Sequence, residues 1–144
     1  MNIDLGTGLL LNLPYADGGK DNKKRPYLVI DEVDNSLMLL NISSVAGKER
    51  KVLFDSNYLI KQYNPPFLKP SFAKLDAIYK VEVCSLLSKF ILCEGNRLNN
   101  DEMAKLLVVF ESYKSTHPVH IIRLNENEIK TLNAMRYIAA HRED

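Results

Sequence analysis

The sequence carries almost no excess of charge, which limits the partners that it can bind over its whole surface. Its 144 residues include 19 basic and 18 acidic side chains, for a formal net charge of +1. A protein of such balance is not a polycation, so binding to nucleic acid would need a local basic patch. Hydrophobic residues make up 46% of the chain, which is enough for one ordinary core. The length predicts a single domain over residues 1–144.

Long apolar runs and paired cysteines are also missing. No run approaches the ~20 residues that span a bilayer, and the first residues do not show a charged region followed by a hydrophobic segment. We therefore expect a cytoplasmic protein without membrane contact. Cys84 and Cys93 are the only cysteines. They lie in apolar surroundings outside any Cys-x-x-Cys unit, so the sequence favours buried free thiols over a disulfide.

Several patterns that carry chemistry are absent as well. The sequence has no phosphate-binding loop, dinucleotide fingerprint or nucleophilic triad. His117 and His120 do not have the spacing of a metal site with further ligands, and His141 is remote from both. We expect no metal and no cofactor.

The stretch around which the chain is organised is Lys23-Lys24-Arg25-Pro26-Tyr27-Leu28-Val29-Ile30. A polar loop with two glycines precedes it, and an apolar, partly β-branched run follows. Pro26 cannot donate to a sheet ladder and belongs at the first position of a strand. Arg25 then lies where loop and strand meet, and an arginine held there can bind a phosphate through paired donors. The alternative is a basic loop that keeps a hairpin soluble.

The first 82 residues predict about six short strands in antiparallel connection. The predicted strands are 8–13, 26–33, 36–43, 51–54, 71–75 and 77–81, and prolines make 55–70 irregular. Asp34 and Asn35 tolerate positive φ and predict a hairpin turn. Residues near 26 should then lie close to residues near 43, so that Arg25 and the Ser43–Ser44 pair converge. These strands suggest a small closed or nearly closed barrel.

After residue 83 the apolar residues recur at helical spacing. Val83 to Ile91 follow this spacing, and Asn99 with Glu102 forms a capping pattern before the stripe Met103 to Tyr113. His117-Pro118 should end that helix, and Val119 to Ile122 should form an edge strand. Asn125 and Glu128 repeat the capping pattern before a second stripe of Ile129, Leu132, Met135 and Ala139. That stripe packs on the chain's own barrel or forms a dimer contact.

The predicted fold class is therefore mainly β with C-terminal helices, an α+β protein. Residues 1–82 form the β-barrel core, and residues 83–144 form a helical C-terminal part.

The first 82 residues resemble the MazF/PemK family of toxin endoribonucleases from toxin-antitoxin systems. A glycine-led first strand (Gly8 to Leu13) and a polar loop precede Arg25-Pro26 and its apolar strand. The third strand ends in a small hydroxyl residue, Ser43. The segment Lys69 to Ile78 is similar to the family's later strand pair, in which an acidic residue precedes an apolar one. The usual Gly-Asp pair of the first strand is replaced by Gly6-Thr7-Gly8.

The resemblance implies an SH3-like barrel, a homodimer and an antitoxin protein as partner. It also implies metal-independent cleavage of single-stranded RNA, in which the ribose 2′-hydroxyl attacks the adjacent phosphorus. Arg25 matches the family's catalytic arginine, and Ser43 stands where the family commonly has threonine. In this role Arg25 stabilises the charge that develops at phosphorus, and Ser43 holds a phosphate oxygen or orients the 2′-hydroxyl. The alternative for Arg25 is an ion pair with Asp17 or Asp21.

The predicted RNA-binding residues surround this pair. They are Tyr15, Lys20, Lys23, Lys24, Ser44, Lys74 and Asp76. The lysines would line a groove, and Tyr15 would stack on an unpaired base or pack into the barrel. Asp76 lies near the substrate or has a structural use at the start of a strand.

Two other functions are compatible with the residues. One is a catalytically inactive SH3-like barrel that binds RNA or a protein partner on the same face. The other is a structural module without phosphate affinity near Arg25.

Overall fold

The computed structural model describes residues 3–15 and 23–133. The chain forms strands β1 to β7 and helices α1 and α2. The strands are β1 Gly8–Leu11, β2 Arg25–Val33, β3 Ser36–Ser44, β4 Asn57–Ile60, β5 Ser71–Lys74, β6 Ala77–Glu82 and β7 His120–Leu124. Helix α1 is Asn100–Thr116, and α2 occupies residues 126–133 of the described chain. Short 3₁₀ helices lie at Glu49–Leu53, Ser85–Phe90 and Cys93–Gly95.

One seven-stranded sheet contains all of the named strands. Strands β1, β2 and β3 pair antiparallel in sequence order. The other edge of β3 is divided, because residues 36–39 pair with β6 and residues 42–44 pair with β5. Strand β4 pairs with β5, and β7 pairs with β6 in the sheet's one parallel contact among the named strands. A mainly antiparallel sheet with a few helices confirms the predicted α+β class.

The β2–β3 hairpin turns where the sequence predicts. Asp34 and Asn35 have φ values of 51° and 59°, as a type I′ turn requires. The register changes between Val29 and Asp31, where a β-bulge inserts one extra residue. Because of this bulge, Tyr27 pairs with Asn41. The same register, extended by two residues, places Arg25 level with Ser43.

The sheet buries both of its faces. Tyr27, Val29 and Leu39 belong to a core cluster on one face, together with Ile129 of α2. Leu28 and Leu40 belong to a second cluster on the other face, which α1 covers with Met103, Leu106 and Phe110. Side chains alternate between the faces of a strand, so strands with apolar residues at consecutive positions can fill two cores.

Helix α1 begins and ends as predicted. The Asn99 side chain caps it by accepting from the amides of Asp101 and Glu102, and His117 follows its last residue. At α2, Asn125 and Glu128 form the reciprocal capping box, in which each side chain accepts from the other's amide at 3.0 and 2.9 Å.

The described part of the second stripe packs on the chain's own sheet. Ile129 is buried in the first cluster, and Leu132 packs against it. This favours the first of the two predicted roles for these positions, whereas Met135 and Ala139 lie outside the described residues. The predicted edge strand is also present, as β7.

Two predicted elements are wrong in type. Residues 51–54 are not a strand, because Glu49–Leu53 forms a 3₁₀ helix. The chain turns tightly there: the Phe54 amide donates to the Lys51 carbonyl, and the Asn57 amide donates to the Phe54 carbonyl. Strand β4 lies instead at Asn57–Ile60, within a segment predicted to be irregular.

The helical spacing after Val83 corresponds to a 3₁₀ helix, Ser85–Phe90.

Cys84 and Cys93 are free, as predicted, although only Cys84 is fully buried. Among the described helices, none has the length and apolar character that a membrane crossing needs.

Candidate functional site

A cavity of about 240 Å³ opens where β2, β3, β5 and β6 come together. Most of its lining side chains are aromatic or charged. The lining residues are Tyr15, Arg25, Tyr27, Asn41, Lys74, Asp76, Ala77 and Tyr79. One cavity therefore contains the predicted catalytic residue Arg25 and three predicted RNA-binding residues, Tyr15, Lys74 and Asp76.

The strand register explains why these residues meet. Arg25 and Tyr27 lie two positions apart on β2, so their side chains leave the same face. Tyr27 pairs with Asn41 on β3. Strand β3 pairs with β5 through Ile42–Ala73 and Ser43–Phe72, and the next step of that register places Asn41 level with Lys74. Tyr27, Asn41 and Lys74 thus form one row across three strands.

Arg25 is held by aromatic side chains on two sides. Its guanidinium carbon lies 4.0 Å from the centroid of the Tyr15 ring, a cation–π contact. Arg25 also lies close enough to Tyr27 to lower the pKa of the Tyr27 hydroxyl, through its charge and through hydrogen bonding. A half-buried guanidinium with its plane set by a ring and a hydroxyl can present its donors in a fixed direction, as phosphate binding requires.

Tyr27 is the buried centre of the site, with 1% of its surface exposed. Burial raises the pKa of its hydroxyl well above the ordinary value, and the nearby Tyr79 raises it further. Hydrogen bonds with Arg25 and Asn41 oppose this rise in pKa without overcoming it. Tyr27 therefore stays neutral over the physiological range and serves as a fixed hydrogen-bonding group.

Tyr79 supports the other side of the cavity. Its ring packs edge-on against Tyr27, with centroids 5.2 Å apart. Its hydroxyl donates to the Pro14 carbonyl at 2.9 Å. Because Pro14 directly precedes Tyr15, this bond holds the segment that carries the ring above Arg25.

Lys74 adds a second cation to the cavity. Burial lowers the pKa of its ammonium, and the positive charges of Lys48, Lys51 and Arg25 lower it as well, while Asp76 acts in the opposite direction. Two cations that meet in a partly buried cavity, with one carboxylate beside them, favour a ligand with concentrated negative charge such as a phosphate.

Ser43 is level with Arg25 in the sheet but, of the described residues, it is not one that lines the cavity. It is 7% exposed, pairs with Phe72 and accepts a hydrogen bond from the Lys48 ammonium at 2.9 Å. Ser44 is half-buried and pairs with Ser71. Arg25 and Ser43 thus lie at one end of the sheet, and the Ser43 hydroxyl accepts its hydrogen bond from Lys48.

The remaining predicted residues lie at the edge of the site or beyond the described chain. Lys23 is exposed, and the ammonium of Lys24 lies 4.4 Å from the centroid of the Phe90 ring. Lys20 lies outside the described residues, as do Asp17 and Asp21. An ion pair between Arg25 and either aspartate therefore stays a prediction.

Asn41, Tyr79 and Lys48 were not singled out from the sequence. Asn41 had a partial signal, because it is a polar residue inside the apolar run of β3, but its pairing with Tyr27 depends on the bulge between Val29 and Asp31. The sequence contains no such signal for Tyr79 or Lys48, because their positions depend on the pairing of β3 with both β5 and β6.

Within residues 3–15 and 23–133, no group of three His, Cys, Asp or Glu side chains is placed to hold a metal ion. No protein-family model matches the chain, and no curated protein matches it.

Proposed function

We propose that the chain is an endoribonuclease that cleaves single-stranded RNA by attack of a ribose 2′-hydroxyl and without a metal, as the resemblance to MazF/PemK toxins implies. The observation that carries the proposal is the cavity in which Arg25, Lys74 and Asp76 meet beside the Tyr15 ring. These groups match the needs of the reaction: positive charge at the phosphate, a proton acceptor, and a surface for an unpaired base.

The chemistry has a role for each charged group. The 2′-oxygen forms a bond to phosphorus, and its proton passes to the Asp76 carboxylate directly or through water. The bond from phosphorus to the 5′-oxygen breaks, and the Lys74 ammonium donates a proton to that leaving oxygen. Arg25 faces the extra negative charge of the pentacoordinate intermediate. The products are a 2′,3′-cyclic phosphate and a 5′-hydroxyl end.

The lowered pKa of Lys74 suits this role. An ammonium whose pKa is below its ordinary value is a stronger acid and gives up its proton more readily near neutral pH. Arg25 is a poor acid at its ordinary pKa, so we assign it to charge stabilisation alone. Ser43 does not contact substrate in this proposal and instead positions Lys48.

The same resemblance implies a fold, an oligomeric state, a partner and a location for the protein. The antiparallel sheet with its divided β3 is compatible with an SH3-like barrel, and we propose that fold, a homodimer, an antitoxin protein as partner and a cytoplasmic location. The enzyme activity is the part to test first.

The direct test is incubation of the purified protein with a long single-stranded RNA in the presence of a chelator. We expect discrete cuts with cyclic phosphate ends, lost in Arg25→Ala by on the order of 10²-fold or more. Arg123→Ala is the matched control, because it removes an exposed arginine on β7 and the same unit of charge. Full cleavage by Arg25→Ala would contradict the proposal.

A second candidate, a non-catalytic barrel that binds RNA, is favoured by one observation: the Ser43 hydroxyl is buried and engaged by Lys48. Under this alternative the wild type binds single-stranded RNA and leaves it intact. The same incubation, followed by a binding measurement on the uncut RNA, distinguishes the two.

A further inference from the structure

We propose that Lys48 and Lys51 form a phosphate-binding subsite next to the cavity, which holds the RNA backbone one step away from the cleaved phosphate. This inference rests on the proposed function, since it assigns the path of that same RNA. It concerns residues that do not line the cavity and extends the site along the chain between β3 and β4.

Lys48 is fixed beside the strand that carries Lys74. Its ammonium donates to the Ser43 hydroxyl at 2.9 Å, and Ser43 pairs with Phe72 of β5. Lys74 lies two residues after Phe72 and therefore leaves β5 on the same face. A surface lysine normally samples many rotamers, so this bond to a buried hydroxyl directs the Lys48 charge towards the cavity side of β5.

Lys51 reaches the same place from the 3₁₀ helix. Its carbonyl accepts from the Asn57 side-chain amide at 2.7 Å and from the Phe54 amide at 3.1 Å. Asn57 pairs directly with Lys74 across β4 and β5. The backbone of Lys51 is thus tied to the strand neighbour of Lys74. The Lys48 side chain is thus held near Lys74 through Ser43, the Lys51 backbone is held there through Asn57, and both charges act on Lys74.

The charges of this cluster call for an anionic ligand. Lys48, Lys51 and Arg25 all lower the pKa of Lys74, which means that three positive charges act on that of Lys74. Asp76 offsets part of this repulsion at Lys74. Of the two acidic residues between β3 and β4, Glu49 accepts from the Gly47 amide at 3.2 Å, and Asp55 follows the 3₁₀ helix. A ligand that brings several negative charges would relieve the remaining repulsion.

The phosphate backbone of RNA fits this arrangement better than an acidic protein segment does. Lysines bind phosphates as point charges and need no particular sequence. The cluster is continuous with a cavity in which the Tyr15 ring can stack on a base. A strand of RNA presents phosphates and bases in alternation, so one strand can use the lysines and the ring together.

The test is the salt dependence of RNA binding. We would measure the Kd of a mixed-sequence 2′-O-methyl RNA of about 12 nucleotides, which has no free 2′-hydroxyl to attack, so that binding is separated from cleavage. The variant is Lys48→Gln/Lys51→Gln, in which glutamine keeps a donor for Ser43. The control is Lys61→Gln/Lys105→Gln, which loses the same charge at two exposed lysines. Lys61 follows the end of β4 opposite to Asn57, and Lys105 lies on α1.

Loss of two phosphate contacts should reduce the slope of log Kd against log salt by about 1.4. Binding should weaken on the order of tenfold near 0.1 M salt, with little difference near 1 M, while the control keeps the slope of the wild type. On a cleavable RNA, KM should rise in the variant at 0.1 M salt and stay near the wild-type value in the control. KM and not kcat is the readout, because both lysines also lower the pKa of Lys74, the proposed acid.

The outcomes separate this inference from the proposed function. An unchanged slope in Lys48→Gln/Lys51→Gln, with RNA still bound, overturns the subsite whether or not the wild type cuts RNA. A reduced slope in a protein that cuts no RNA supports the subsite and overturns the catalytic proposal. Absence of RNA binding by the wild type overturns both and leaves an acidic protein as the ligand to test.

Discussion

At the scale of single residues, the site depends on how Arg25 is oriented as well as on its presence. A surface arginine can turn its guanidinium freely, whereas Arg25 has the Tyr15 ring at 4.0 Å and the Tyr27 hydroxyl within hydrogen-bond reach. Tyr27 in turn is fixed by burial and by Asn41. Preorganised donors stabilise developing charge without reorganising during the reaction, so the Tyr27 hydroxyl should matter although it does not touch substrate.

Tyr27→Phe tests this positioning role. The variant keeps the ring that fills the core and removes only the hydroxyl, so we expect kcat to fall by roughly 10- to 100-fold with KM little changed. Steady-state cleavage of RNA provides the measurement.

The matched control for this variant is Tyr58→Phe. It removes a hydroxyl that donates to the buried Glu102 carboxylate at 2.7 Å, away from the cavity, at a cost in stability of about 1.5–3 kcal/mol. If both variants lower kcat equally, Tyr27 acts through stability and not through Arg25.

At the scale of elements, the start of α1 is tied to β4 by one buried carboxylate. Glu102 is 3% exposed. Its two oxygens accept from the Tyr58 hydroxyl and the Gln62 amide, each at 2.7 Å. Burial alone would raise the pKa of Glu102, but these hydrogen bonds and the nearby Lys105 hold it below its ordinary value. The same contact, together with burial, raises the pKa of Tyr58 to about 12.

This tether predicts a loss of stability in acid. The pKa of Glu102 is lower in the folded than in the unfolded chain, so the unfolded chain takes up the proton first as the pH falls. The stabilisation is complete above the unfolded pKa of about 4.3 and is lost as the pH falls through the folded pKa.

Glu102→Gln should therefore be less stable than the wild type by about 1.5–3 kcal/mol near neutral pH. It should also lose less stability than the wild type below about pH 4.3. Urea unfolding at a series of pH values measures both effects. Parallel curves for the two proteins would show that Glu102 does not titrate in the acid transition.

Most elements were predictable because their determinants are local. The β2–β3 turn needs two residues that tolerate positive φ, and Asp34 and Asn35 are adjacent in the sequence. The α2 capping box needs an acceptor and a carboxylate at the right spacing, which Asn125 and Glu128 supply. The prediction of a strand at residues 51–54 is wrong for the opposite reason, because a strand needs a partner elsewhere in the chain. Its apolar residues have no sheet neighbour, and Leu53 and Phe54 remain exposed in a segment held by tight turns.

At the scale of the whole molecule, helix α2 is hydrogen-bonded to the residue that follows the first strand. Asn133 of α2 and Asn12, which follows β1, exchange hydrogen bonds: the Asn12 amide donates to the Asn133 side chain at 2.8 Å, and the Asn133 side-chain amide donates to the Asn12 carbonyl at 3.2 Å. Ile129 is fully buried in the first core cluster beside these contacts. Hydrogen bonds therefore join residues about 120 positions apart in the chain.

Ile129→Ala should destabilise the entire domain, by about 2–5 kcal/mol, because it leaves a cavity in a core shared by β1, β2, β3 and β6. Ile121→Ala is the control, since that isoleucine on β7 is largely exposed and its loss should cost under about 1 kcal/mol. We would compare the midpoints of urea unfolding. Equal midpoints would mean that α2 unfolds separately and is an appendage to the sheet.

The sequence by itself determined the elements whose causes lie within a few residues: most strands, the hairpin turn, both helix caps and the placement of Arg25 at the start of β2. It also indicated which residue types a phosphate site would use. Local propensity, capping and turn geometry act over short separations, so one sequence is enough to specify them.

Only the tertiary structure decided which side chains share the cavity. The bulge between Val29 and Asp31 shifts the register by one residue, and a shift of one residue moves a side chain to the opposite face. Because β3 pairs with β6 along one part of its edge and with β5 along another, Lys74 lies beside Asn41. At the same end of β3, the Ser43 hydroxyl accepts a hydrogen bond from Lys48. These pairings join residues that are far apart in the chain, and their energies depend on contacts that form only when the whole sheet has assembled.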